Sequence, residues 1–318
     1  MYEVSIIIPV YNVAEYVSES LLSALNQSFE SIEYVIVNDC STDCSMDVIR
    51  RLVDAHPRKD DVFIYQQEKN YGLSSTRNLG IEHAHGKYIF FMDSDDEISK
   101  ECIALHYEAI IRKDADFTVG NVVQIGSRSV HIHPIDPSAE TMHPVASYYR
   151  RIWSVSAWNK MYKRIFIESN KLRFVNGIHH EDYLWSYNVA KKAKSLALVE
   201  EKTYIYKIRP GSITTIVNGD LKINSMLFVI KTIGNDACSE NAEDKERFLG
   251  FVGFNTALYI LNYKGDKSRC YYYNELRKIT PHWGRTSTIY SKLTSLPYSI
   301  FCLTIKPLYI IYKYWITR

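Results

Sequence analysis

Residues 87–96, KYIFFMDSDD, set an unbroken apolar run against a cluster of carboxylates. An apolar run of this length without alternation reads as a strand buried on both faces, at the centre of a parallel sheet covered by helices. Its acids then stand at the C-terminal tip of the strand, the edge at which open α/β sheets bind ligands. Asp93 and Asp95, one residue apart, can face a hard cation together. Carboxylate oxygens suit Mg²⁺ or Mn²⁺, ions commonly shared with a substrate's phosphates. The competing reading of a bare D-x-D is a solvated acidic turn that caps the next helix, and the flanking sequence must choose between them.

Working outward, residues 4–10 (VSIIIPV) form a second run of the buried-strand type, closed by Pro9. Val17, Leu21, Leu22 and Leu25 recur at helical spacing and predict a helix over 14–26. Residues 32–37 (IEYVIV) read as the next strand, again ending in polar residues, Asn38-Asp39, before a helix over 46–55. A short strand over 62–65, a loop at 70–72 and a helix over 73–84 bearing Arg77 lead into the opening stretch. This rhythm predicts an α/β fold, a doubly wound, mostly parallel sheet with right-handed crossovers.

Further on, a helix is expected over 99–113, a strand over 116–124 and a helix over 145–153. Two strands, 196–199 and 203–208, are expected on either side of Glu200-Glu201, followed by the loop Arg209-Pro210-Gly211-Ser212. Glu181-Asp182 stand at a helix start, where acids are also favoured by the macrodipole alone. His131, His133 and His143 fall in a turn-rich stretch without a carboxylate or Cys at ligand spacing, so they are not read as a metal site.

At 318 residues and 46% hydrophobic, the chain can hold one large α/β domain and a smaller appendage, and disorder is excluded. Its net charge of +2 hides an asymmetry: residues 261–318 carry ten Lys or Arg against Asp266 and Glu275, a net of +8 on a body of −6. A basic, Tyr-rich end suggests contact with an anionic surface, membrane or nucleic acid. Six cysteines without a C-x-x-C indicate neither zinc nor a disulfide framework and fit a reducing cytosol. The N-terminus enters a strand at once, with no signal peptide apparent. Residues 293–312 hold one charge, Lys306, but are broken by Pro297 and Pro307. They barely reach the ~20 apolar residues of a bilayer span. A helix pair lying in the membrane interface is the better reading, with packing on the body as the alternative.

Four stretches in register then carry a resemblance: VSIIIPVYN at 4–12, VIVNDCSTD at 35–43, NYGLSSTRNLGI at 70–81 and GKYIFFMDSDD at 86–96. Together they resemble the inverting glycosyltransferases of family 2, with the A-type nucleotide-sugar fold. WNKMYKR at 158–164 and HED at 180–182 look like that family's acceptor-side motifs, while the last seventy or so residues match none of them.

The resemblance implies a glycosyltransferase domain over 1–234, with a nucleotide-sugar half to about 125 and an acceptor half from 126, and a basic, aromatic-rich helical region over 235–318. It implies that Pro9, Tyr11, Asp39, Arg77, Asp93 and Ser94 bind the donor. Tyr11 would stack on the base, Asp39 would accept the N3–H of a uracil, and Arg77 would pair with the diphosphate, the competing reading being an Arg near a helix start that merely bridges the neighbouring acidic tips. Where the family more often has Asp-Asp-Gly, this chain reads Asn38-Asp39-Cys40. Asp93 and Asp95 would hold Mn²⁺ or Mg²⁺ against both phosphates. Asp96 would either accept hydrogen bonds behind the metal-holding pair or stand at the N-cap of the next helix, the cap being the preferred reading. Asp182 would be the base, made more basic by Glu181. Trp158, Lys160, His180 and Glu181 would meet the acceptor, and Trp158 and Trp185 could offer a sugar a flat aromatic face, although a Trp is more often simply core.

The implied activity is transfer of a sugar, from a UDP-sugar first of all, to a saccharide or lipid-linked saccharide in surface polysaccharide synthesis. The enzyme would be cytoplasmic or peripheral on the inner face of the plasma membrane. Two other readings compete. A sugar nucleotidyltransferase would share the architecture, but no G-x-G-x-x-G or G-x-x-x-x-G-K-[ST] is present. A binding protein without turnover would not need Asp39, Asp93, Asp95 and Asp182 together. Nucleic-acid binding is the weakest option, because no recognisable module accompanies the basic tail.

Overall fold

A computed structural model describes residues 2–126, 135–208, 219–236, 241–264, 268–280 and 289–305. His131, His133, the loop 209–212 and residues 306–312 of the C-terminal apolar stretch lie outside the described residues. Two compact units are distinguished, Met1–Gly177 with Glu181–Thr215, and Ile178–His180 with Ile216–Arg318.

The first unit is built on an eight-stranded sheet. Its elements in chain order are β1 (Val4–Val10), α1 (Val17–Leu25), β2 (Ile32–Asn38), α2 (Ser45–Ala55), β3 (Val62–Gln66), α3 (Leu73–His83), β4 (Tyr88–Phe91), β5 (Glu97–Ile98), α4 (Cys102–Lys113), β6 (Phe117–Gly126), α5 (Pro144–Tyr149), β7 (Met161–Lys163), α6 (Arg164–Ser169), α7 (Glu181–Lys192) and β8 (Leu196–Ile208). The sheet order is β3-β2-β1-β4-β7-β6-β8-β5. The first four neighbours run parallel, as expected of a doubly wound half.

Parallel register fixes where the chemistry goes. Ile7 lies opposite Phe91 and Val10 opposite Asn38, so β1, β2 and β4 end at one edge. The ladder continues past the strand ends, with Met92 N donating to the Ile7 carbonyl and Asp39 N to that of Val10. Asp39 and Asp93 are thereby delivered to the same side. Every residue of β1 and β2 is buried, the polar Ser5 and Glu33 included, with the Ser5 hydroxyl donating to Glu33 Oε1. In α1, Val17, Leu21, Ala24 and Leu25 face the core at helical spacing. Around Phe91, the rings of Tyr162, Phe174 and Trp185 meet it edge-on at 5.3–5.8 Å.

The second half of the sheet departs from the sequence expectations. The two strands expected around Glu200-Glu201 are one strand, β8, whose pairing to β6 jumps from Val199 opposite Gly120 to Lys202 opposite Asn121. A bulge absorbs the two acids instead of ending the strand. The helix expected over 145–153 stops at Tyr149, and Arg151 turns left-handed at φ +55°. The short strands β5 and β7 have no pattern of their own and exist through antiparallel pairing to β8 and β4.

Where β6, β7 and β8 converge, His106 is wholly buried between Thr118 Oγ1 at 2.6 Å and Asn159 Oδ1 at 3.1 Å, with the Thr203 hydroxyl donating to the same Asn159 oxygen at 2.9 Å. Burial pushes the His106 imidazole down to about 3, so it is a neutral structural ring. Gly120 leaves room for this cluster: a Cβ there would stand 2.7 Å from His106 Nε2, 2.7 Å from Thr203 Oγ1 and 2.9 Å from Asn159 Nδ2. Gly120→Ala is expected to destabilise the protein by ~1–3 kcal/mol, the usual cost of overpacking, read as a lower urea midpoint.

The second unit is helical, with α8 (Asp220–Asn235), α9 (Ala242–Leu261), α10 (Arg269–Ile279) and α11 (Ile289–Ser295). Sequence alone drew a boundary near 235, but α8 is tied to the helices after it. Asp220 at its start accepts hydrogen bonds from Tyr263 and Tyr272, and Lys245 Nζ donates to the carbonyls of Gly234 and Asp236 at its end. Among the described residues no helix is long and apolar enough to cross a membrane.

Candidate active site

Asp39 follows β2 and is 3% exposed. Its Oδ1 accepts from Gln67 Nε2 at 2.9 Å and Tyr71 N at 2.8 Å, and its Oδ2 accepts from Gly72 N at 2.9 Å. Burial raises its proton affinity, and the two backbone donors work against that rise. Gly72 reaches this position at φ +88°, a backbone region in which a side chain is strained. Asp39 thus pins the turn that starts α3. Cys40 sits at φ +59°, which explains why glycine suits this position better, and Asn38 Oδ1 caps the same turn by accepting from Ser41 N at 3.0 Å. Tyr11 is 46% exposed just past β1, while Pro9 is buried within it.

After β4, oxygens of Asp93, Asp95 and Asp96 lie within 4.8 Å of one another. Their environments differ. Asp93 and Asp95 are half-buried and reach solvent, whereas Asp96 is 1% exposed. Asp96 Oδ2 accepts from the Tyr204 hydroxyl at 2.9 Å and its Oδ1 from Lys207 N at 2.8 Å. Burial, then Asp95 and Asp93, push its carboxyl well above the usual range. Asp93 and Asp95 therefore fit a divalent cation by ligand type and access, while Asp96 is an anchor. It does not cap the next helix, since α4 begins only at Cys102. Ser94 is buried between the two candidate ligands in sequence.

Tyr204 was invisible to sequence reasoning as a site residue. Its hydroxyl also accepts from Asp93 N at 3.1 Å, so β8 fastens the acidic turn at two points. Tyr204→Phe leaves a buried carboxylate and a backbone N–H each short of a partner. We expect a loss of ~1–3 kcal/mol in denaturant unfolding.

The helix start at Glu181-Asp182 is joined to this turn through Arg77. The guanidinium is 2% exposed, donates from Nη2 to Asp93 Oδ1 at 2.7 Å and from Nη1 to Glu181 Oε1 at 2.6 Å, and lies 5.2 Å over the Phe174 ring. Both terminal nitrogens are thus held by carboxylates, and among the described residues its buried Nε has no partner. Asp182 lies within the same field. Burial, then Glu181, raises its carboxyl to about 7, with Asp93 adding to the rise and Arg77 and Lys160 opposing it. Lys160 is buried, donates to the Ser156 carbonyl at 2.5 Å and is brought down to about 7 by burial.

The structure thus brings Asp93, Arg77, Glu181, Asp182 and Lys160 into one electrostatic group. Trp158 is 8% exposed and stacked on Tyr204 with centroids 4.4 Å apart. Trp185 is core, stacked on Phe174 at 4.0 Å, and offers no face to a sugar. His180 belongs to the second unit, where its ring is parallel to that of Tyr259.

The sequence model of the family described as "Glycosyl transferase family 2" matches residues 5–176. Among curated relatives, Glycosyltransferase GlyA of Streptococcus pneumoniae serotype 4 is 30% identical over 67% of this chain and 32% of its own length. The Poly(ribitol-phosphate) beta-glucosyltransferase of Bacillus spizizenii is 31% identical over 65% of this chain and 32% of its own. This chain spans about a third of either protein. Among solved structures, residues 1–349 of S. aureus TarS in complex with UDP-GlcNAc superpose with a TM-score of 0.77 at 20% identity, covering 96% of this chain and 92% of that one. That likeness is one of fold, and it agrees with the parallel half-sheet described above. With the family's motifs matched over more than half its length, the chain belongs to glycosyl transferase family 2.

Proposed function

We propose that the chain transfers a sugar from a UDP-sugar to a saccharide or lipid-linked saccharide in surface polysaccharide synthesis, inverting the anomeric carbon and depending on a divalent cation. The observation that carries this reading is Asp182. It is a carboxyl held near neutral proton affinity and linked through Glu181 and Arg77 to the acidic turn. A base poised near the operating pH can take the proton of an acceptor hydroxyl as that oxygen attacks C1.

Asp93 and Asp95 would hold Mn²⁺ or Mg²⁺, which when bound supplies Lewis-acid stabilisation to the departing diphosphate. Tyr11 would stack on the base and Asp39, besides fixing the Tyr71-Gly72 turn, would receive the uracil N3–H. Arg77 would orient Asp93 and Glu181. Lys160 would lower the cost of charging Asp182. The UDP-GlcNAc held by TarS favours UDP as the carrier, and the Bacillus spizizenii relative, a beta-glucosyltransferase, favours a hexosyl group.

A panel of UDP-glucose, UDP-GlcNAc and GDP-mannose, with Mn²⁺, Mg²⁺ or EDTA, tests the reading. Release of UDP from a UDP-sugar, lost in EDTA, is expected. Preference for GDP-mannose, or full turnover in EDTA, would overturn the donor or the metal assignment. The C-terminal region is proposed to rest on an anionic membrane, since Ile289, Ile300 and Leu303 are exposed in a strongly basic segment. Salt-sensitive sedimentation with phosphatidylglycerol vesicles is expected, and none at low salt would refute it.

A further inference from the structure

Gln67 stands one residue beyond β3, where the ladder to β2 continues with Gln67 N donating to the Asn38 carbonyl at 3.0 Å. Its side chain is buried, and each polar atom of the amide has a partner. Nε2 donates to Asp39 Oδ1 and to Thr76 Oγ1, both at 2.9 Å, and Oε1 accepts from the Ser75 hydroxyl at 3.0 Å. The orientation follows from chemistry, because an ionised carboxylate only accepts and the amide must turn its nitrogen toward it. The Thr76 hydroxyl is committed as well, donating to the Gly72 carbonyl at 3.0 Å.

Little of Asp39 is left for a ligand. A carboxylate offers about four acceptor positions, two on each oxygen. On Oδ1 both are taken, by Gln67 Nε2 and by Tyr71 N at 2.8 Å, while Oδ2 receives Gly72 N at 2.9 Å. Among the described residues one position remains, on Oδ2. A base with a single N–H between two carbonyls can use it. A base that presents two parallel N–H donors needs both oxygens at once, and one of its donors then meets an oxygen already filled. Two of the three donors to Asp39 come from the backbone, so Gln67 is the side chain among them.

We propose that Gln67 is a positioning residue that sets base specificity. By filling Oδ1 it restricts Asp39 to a base with one N–H at its pairing edge, such as uracil, and turns away guanine, whose N1–H and N2–H form a fork. This rests on the reading above, in which Asp39 receives the base of the donor.

UDP and GDP, each with Mg²⁺, are titrated by calorimetry into wild type and Gln67→Met. Wild type is expected to bind UDP the more tightly. Methionine keeps the length of the side chain and opens a position on Oδ1, so UDP should lose affinity while GDP holds or gains it. The ratio of UDP to GDP affinity should fall by roughly tenfold or more, the effect of one buried donor gaining or losing its partner.

Exclusion of guanine by its size alone would leave that ratio unmoved, and a general loosening of the site would weaken both nucleotides alike. Either result overturns the proposal. Ser75→Ala removes the donor to Oε1 and frees the amide to turn, so it should move the ratio in the same direction by a smaller factor. It takes the place of Gln67→Met should that variant fail to fold, and an unmoved ratio there overturns the proposal equally. Wild type that binds neither nucleotide, or that prefers GDP, sinks the donor reading and this proposal with it, a result read from wild type alone and distinct from an unmoved ratio in the variants.

Discussion

Asp182→Asn should leave donor binding intact and cut the rate of sugar transfer by ~10²–10⁴-fold, the range that a positioned general base contributes. The substitution keeps the side chain's shape and removes its ability to take a proton. UDP affinity should stay within a few-fold, because no donor contact is assigned to Asp182. In wild type, transfer rate against pH should rise through a limb centred near 7, where this carboxyl is held. The variant's residual rate should lack that limb. Turnover at the wild-type rate would remove Asp182 as the base.

The same shift carries a stability signature whose sign is opposite to that of an ordinary ion-paired acid. The folded carboxyl sits at about 7, above its ordinary value of 3.8, so the folded state binds the proton more tightly than the unfolded chain between those values. The stabilisation this gives is complete below the unfolded value and is lost as pH rises through about 7. An asparagine has no such loss. Asp182→Asn should therefore melt at a higher temperature than wild type at pH 8, with the gap narrowing toward pH 4. A gain of stability paired with a loss of rate is what a strained catalytic group predicts.

The half-sheet that positions the donor side was legible because its determinants are local. An unbroken apolar run such as VSIIIPV can only be a strand covered on both faces, and Asp39 and Asp93 follow from where such runs end. The anchoring of the acidic turn was not legible. Asp96 looked like a helix cap from its neighbours, yet its partners, Tyr204 and Lys207, lie more than a hundred residues away on β8. No periodicity announces a tyrosine whose hydroxyl serves a distant carboxylate. The same holds for Asn159, whose left-handed backbone at φ +56° and bonds to His106 and Thr203 exist only once β6, β7 and β8 meet. Trp185 follows the commoner fate of a tryptophan, the core, and not the sugar platform its residue type also allows.

Arg77→Met should be the most destabilising single change at the site. The guanidinium bonds both Asp93 and Glu181, and each of those carboxylates would be left facing the other's charge without it. Removing one partner of a buried ion pair costs ~3–5 kcal/mol, because the remaining charge stays desolvated. Methionine fills the stem's volume and its contact with Phe174, so the loss reports charge more than packing. Denaturant unfolding measures it.

The effect on the base distinguishes this role from a purely structural one. Arg77 opposes the rise in Asp182's proton affinity, so without it that carboxyl holds its proton to higher pH. The limb of the transfer rate should move upward from about 7 in material that remains folded. Arg77→Lys should recover only part of the stability, since a single ammonium lacks the planar fork that meets two carboxylates at once. A pH profile unmoved in Arg77→Met, with stability lost as expected, would confine Arg77 to holding the fold and leave the basicity of Asp182 to burial and Glu181 alone.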